Sequence, residues 1–101
     1  MFTWLNKQGV RSDRGFEVQF TGRFDAEYRE GGHVVTVYVE SGMSGSAPAI
    51  VIDPAAFARW DDGDTITPEQ QTQMLTNFRE AMEFQGLKLV VERGVSSADR
   101  R

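Results

Sequence analysis

The sequence contains no cysteine. Disulfide stapling, thiolate metal ligation and thiol nucleophiles are therefore excluded. The composition suits a reducing cytoplasm, and a cytoplasmic protein is the expectation. A single histidine, His33, leaves no material for a multi-histidine metal site. No apolar run nears the ~20 residues that span a bilayer. Residues 1–7 lack the apolar segment of a secretory signal. Positive charge is scarce too. Residues 53–92 hold three basic side chains (Arg59, Arg79, Lys88) against eight acidic ones, and the whole chain carries −4. Nucleic-acid binders usually present a basic patch, because phosphate neutralisation drives their affinity. This chain presents the reverse, which argues against DNA or RNA as partner and for a basic protein partner or plain solubility.

What the chain does have is ordinary globular material. Hydrophobic residues make up 40% and charged residues 26% of 101, which is outside the disordered range. One domain over residues 1–94 is expected, followed by a frayed tail at 95–101 with little to bury. Phe16, Val18 and Phe20 alternate with polar residues, as do Phe24, Ala26 and Tyr28. This period of two predicts strands at 15–20 and 23–29. Gly31-Gly32 marks a hairpin turn, and 33–40 is valine-rich on both faces, as in a central strand. Residues 41–46 are small, polar and glycine-punctuated, and predict a mobile loop. A short strand at 49–52 follows. Asp53-Pro54 then opens a short helix near 54–59.

Thr67-Pro68-Glu69-Gln70 carries a capping box and opens the main helix, 68–85. Met74, Leu75, Phe78, Ala81 and Met82 form its apolar stripe. Gly86 is placed for a left-handed cap, and a last strand falls at 87–92. The spacing therefore predicts an α+β fold. An antiparallel meander of about five strands carries the long C-terminal helix on one face. Strand order is left open.

Candidate chemistry is thin. A catalytic His33 would need a nucleophile and an orienting acid. The loop serines Ser44 and Ser46 do not sit in a Gly-x-Ser-x-Gly elbow. Asp61, Asp62 and Asp64 invite a cation, yet lack the spaced loop and closing glutamate of a calcium site. The glycines at 42 and 45 lack the lysine of a phosphate loop. Glu17, Glu27 and Glu40 offer carboxylates that no spacing pairs. No catalytic residue, metal or cofactor is assigned. Trp60 suits the end of a small core. With Asp61, Asp62 and Asp64 it also forms the best candidate contact patch for a protein partner, and Met43 and Ser44 of the 41–46 loop join it as candidates.

Residues 50–52 followed by Phe57-Ala58-Arg59-Trp60-Asp61 carry a resemblance, as does 66–70 leading into Phe78-Arg79-Glu80-Ala81-Met82-Glu83-Phe84-Gln85-Gly86. Together with the Tyr28-Arg29-Glu30-Gly31-Gly32 turn, this pattern resembles the immunity protein 74 family of bacterial polymorphic toxin systems, over roughly residues 15–92. The resemblance implies an α+β protein that binds and neutralises a cognate toxin, without catalytic residues. An acidic inhibitor would be steered toward a basic toxin cleft. Two other readings stand beside it. One is a small accessory domain self-associating through a sheet edge with Phe2 and Trp4. The other is an enzyme using His33 and a carboxylate.

Overall fold

Alternation in the first half of the chain builds a sheet, and the capped amphipathic stretch of the second half covers it. The computed structural model describes residues 1–93, so the tail expected at 95–101 lies outside the described residues. Five strands form an antiparallel meander in sequence order: β1 (Phe2–Asn6), β2 (Gly9–Ser12), β3 (Phe16–Phe20), β4 (Asp25–Glu30) and β5 (His33–Tyr38). A second sheet of three strands holds β6 (Glu40–Ser44), β7 (Ala47–Ile52) and β8 (Lys88–Val91), with β7 in the centre. Between β7 and β8 lie a 3₁₀ turn, Pro54–Phe57, and one long helix, α1 (Pro68–Phe84).

The α+β architecture of a five-stranded antiparallel sheet with one long helix is as expected, but its strands are recruited differently. Residues 2–12 supply two of the five. The 33–40 segment ends as a strand at Tyr38, and Glu40 already belongs to the second sheet. The 41–46 segment, expected as a mobile loop, is mostly strand. Ser44 pairs with Ala47 across Gly45 and Ser46, and Gly45 takes φ 63° at the turn. The final strand leaves the antiparallel set: Ala49 lies beside Lys88 and Ile52 beside Val91 in parallel. The 3₁₀ turn and α1 form the crossover that a parallel pair requires.

One face of the five-stranded sheet is dry. Val10, Phe16, Val18, Ala26, Tyr28, Val35 and Val37 are all buried on it. The other face carries Arg11, Glu17, Glu27, Arg29 and Thr36, which pair across strands or with each other. The stripe of α1 completes the core: Met74, Phe78, Ala81 and Met82 are buried, and Phe78 meets Phe57 edge-on at 5.8 Å between ring centroids. Both ends of α1 are fixed as the sequence indicates. Thr67 Oγ1 accepts the Gln70 N–H while Gln70 Oε1 accepts the Thr67 N–H. At the C-terminus Gly86 has φ 84°, its N–H bonds Glu83 O, and the Leu87 N–H bonds Met82 O. This is the paired-bond arrangement that a left-handed glycine closes.

The Gly31-Gly32 turn has both residues at positive φ, 61° and 83°, as a type I′ hairpin demands. It sets Glu30 opposite His33. By alternation, both side chains continue the inward series of Tyr28 and Val35. A carboxylate and an imidazole thus stand at the end of an otherwise apolar face.

Candidate functional site

The sheet's end at Glu30 and His33 is not closed over as the rest of the face is, and both residues are half-buried. Instead it opens into a cleft of about 600 Å³ between the β4–β5 turn, the 60–65 loop and the first turns of α1. Glu30, His33, Trp60, Asp64, Gln73 and Met74 are among its walls.

The 60–64 loop is held by its own residues. Gly63 takes φ 96°, the Asp64 N–H bonds Asp62 Oδ1, and the Trp60 N–H bonds Asp64 O. Arg59 Nη1 donates to Gly63 O. The loop is also sutured to the free side of β5. The Asp61 N–H bonds Val34 O at 2.7 Å, and the Asp61 carboxylate accepts both the N–H and the hydroxyl of Thr36, at 2.9 and 2.7 Å. Asp61 therefore does for β5 what a sixth strand would do. Its carboxylate is engaged by the β5 edge.

Trp60 is 8% exposed and belongs to the core. Its outer face is covered by His33, whose ring stacks on it at 5.1 Å and 28°. His33 Nδ1 lies 2.9 Å from Asp62 Oδ2 and 4.0 Å from Asp64 Oδ2. Bonds from the Asp64 N–H and then from His33 hold the Asp62 carboxyl below the usual carboxylate range. Among the described residues these three side chains are the group a cation would use, with ligand atoms within 4.8 Å of one another. A cation there would have to displace the bond between the imidazole and Asp62.

A second set of polar groups runs beneath the cleft. Tyr28 is fully buried, and its hydroxyl donates to Glu30 Oε1 at 2.6 Å. Asn77, 3% exposed, donates from Nδ2 to the Tyr28 oxygen at 2.8 Å. Gln73 Nε2 in turn donates to Asn77 Oδ1 at 2.9 Å. The chain Gln73–Asn77–Tyr28–Glu30 therefore starts and ends on cleft walls and passes through the core. No buried polar side-chain atom among the described residues lacks a partner, so the network is complete. Burial, and then the bond to Glu30, push the Tyr28 hydroxyl above its ordinary titration range.

Of the residues singled out from sequence, Trp60 and Asp64 line this cleft, and Asp62 is joined to it through its bond to His33. Met43 and Ser44 do not line it. They lie on β6 in the second sheet, where Met43 is 64% exposed opposite Pro48. Glu30, Gln73, Asn77 and Tyr28 were missed. Two signals were available: Glu30 extends the inward alternation of Ala26 and Tyr28, and Asn77 interrupts the apolar stripe beside Phe78.

Comparison with protein-family profiles, with curated proteins and with solved structures finds no match for this chain. No helix among the described residues is long and apolar enough to cross a membrane.

Proposed function

We propose that this chain is a non-catalytic binding protein that neutralises a cognate bacterial toxin by direct contact. Its docking surface is the acidic loop 62–64 with the cleft beside it. One observation carries the reading: two carboxylates from elements far apart in sequence, Glu30 and Asp64, line a preformed cleft, and a third, Asp62, is bonded to His33 on its wall. The surrounding charge is acidic, and Arg59, the nearest loop cation, is engaged with Gly63 O. Such a surface attracts a basic partner and raises its association rate. The resemblance to the immunity protein 74 family supplies the nature of that partner, a toxin domain with a basic face. Ser41, Ser44 and Ser46, the serines nearest His33 in sequence, belong to the hairpin of the second sheet and do not line the cleft. That placement favours binding over serine chemistry.

The test is co-expression with the product of the adjacent gene. The expected result is a one-to-one complex that protects cells and weakens as salt rises. Replacing Asp62 and Asp64 together by Asn lowers the association rate roughly tenfold or more at low salt. Absence of both complex and protection would overturn the reading.

A second reading rests on a separate surface. Trp4 and Leu5, 49% and 37% exposed, lie on β1, the outermost strand of the five-stranded sheet. A free sheet edge bearing apolar side chains is a template for pairing, and a second copy of the chain would fit it. Sedimentation across the micromolar range checks this. A dimer lost in Trp4→Glu supports it, and a monomer throughout removes it.

A further inference from the structure

We propose that the cleft is a receptor for a guanidinium group, supplied by an arginine side chain of the protein partner. The proposal rests on this face being a docking surface and goes further by naming the chemical group that fills it.

The charge of the cleft selects a cation. The Glu30 carboxylate is fixed by the Tyr28 hydroxyl through Oε1, and no described residue bonds its other oxygen. Asp64 also lines the cleft, its Oδ2 4.0 Å from His33 Nδ1. Helix α1 begins at the same cleft, and a bare helix start would favour an anion. Here, however, Thr67 Oγ1 already takes the Gln70 N–H in the capping box.

The shape of the cleft selects a flat cation over a round one. His33 is stacked on Trp60, which leaves a planar, immobilised ring as one wall, and its side chain is 36% exposed. A guanidinium stacks on such a ring while donating in its own plane to carboxylates, and Glu30 and Asp64 supply two on the cleft walls. An ammonium group can sit over the ring but, as a compact point charge, cannot lie flat on it while donating in that plane. The Gln73 side chain, held by Asn77, adds a carbonyl oxygen on the helix side. The volume, about 600 Å³, is ample for one long side chain.

The walls are also pre-organised. Glu30 and Gln73 are the two ends of one buried hydrogen-bond chain through Tyr28 and Asn77. Neither must be recruited from solvent when a ligand enters, which reduces the ordering cost of binding.

Three small probes test the proposal by NMR titration: N-acetyl-arginine amide, N-acetyl-lysine amide and N-acetyl-citrulline amide, the last being the neutral isostere. The expected result is a saturable shift of the Trp60 indole and His33 ring signals with the arginine probe. Lysine should bind several-fold more weakly, and citrulline about tenfold more weakly or worse. Glu30→Gln keeps an acceptor for Tyr28, so it preserves the fold. It should weaken the arginine probe about tenfold, the loss of one charge-assisted contact. No saturable shift with arginine, an equal response to citrulline or lysine, or an unchanged affinity in Glu30→Gln would each overturn the proposal. So would a toxin complex whose affinity Glu30→Gln leaves intact, since the partner would then dock without filling the cleft. Arginine binding without any toxin complex leaves the receptor standing and overturns the toxin reading alone.

Discussion

Phe78→Ala is expected to lower the stability of the protein by about 3–5 kcal/mol, the cost of emptying a fully buried aromatic site. Phe78 has no exposed surface and packs edge-on against Phe57, which in turn meets Tyr28 at 5.9 Å. It thus joins helix, 3₁₀ turn and sheet at one point. In a domain of this size each kcal/mol lowers the melting midpoint by roughly 4–8 °C, so the fall is on the order of 20 °C. Phe84 is the internal control. It lies on the same helix but is 42% exposed, touching Phe2 and Trp4 near β1. Phe84→Ala should cost about 1 kcal/mol, the worth of its ring contacts. Urea unfolding of the two variants checks both values. Equal losses would mean that α1 is rotated about its axis from the orientation described. The cleft would fall with it, because Gln73 and Met74 belong to the same helix.

Removing the Tyr28 hydroxyl is expected to have the next largest effect. Tyr28→Phe leaves the buried Asn77 amide without its acceptor, at a cost of about 1–3 kcal/mol. Asn77→Ala removes the other partner and should cost a similar amount. The double variant should lose less than the sum of the two, by about 1 kcal/mol, because one bond cannot be broken twice. Full additivity in chemical denaturation would mean that the hydroxyl and the amide do not interact. The pH dependence has a definite sign. The Tyr28 proton is held more tightly in the folded chain than in the unfolded one, through burial first and Glu30 second. Its contribution is therefore intact below the unfolded tyrosine value of about 10 and is lost as pH climbs above it. Thermal melts from pH 8 to 11 should show stability falling more steeply at the alkaline end in the parent than in Tyr28→Phe.

The core of the fold was legible because its signals are local. Strands β3 to β5 each show inward and outward alternation within six residues, and two glycines fix the intervening turn. The main helix announces both ends, in Thr67-Pro68-Glu69-Gln70 and in Gly86. The N-terminal hairpin escaped because its register shifts between Trp4 and Asn6, which breaks the period before it can be recognised. Strand β6 escaped because Ser41, Gly42 and Ser44 have little strand preference of their own, and their pairing with 47–50 is what holds them extended. The parallel direction of β8 depends on where a crossover delivers the chain, which no local period encodes.

The site divides along the same line. Trp60, Asp62 and Asp64 sit in one turn and could be grouped by proximity in sequence. Glu30 and Gln73 join the cleft only because the sheet and helix bring residues 30, 64 and 73 together. Asp61 resembles its neighbours in sequence, yet it is committed to Thr36 by the backbone edge it faces. Acidity alone does not show which carboxylate is bonded to a strand edge, whereas hydrogen-bond geometry does.

The suture of Asp61 onto β5 also limits how molecules can add to one another. The five-stranded sheet has two margins, and Asp61 and its loop occupy the β5 margin, leaving β1 as the margin that no described strand occupies. If two copies met through β1, each would then show only its guarded side outward. Growth through that sheet would stop at a pair, so the chain could not extend along it into a ribbon.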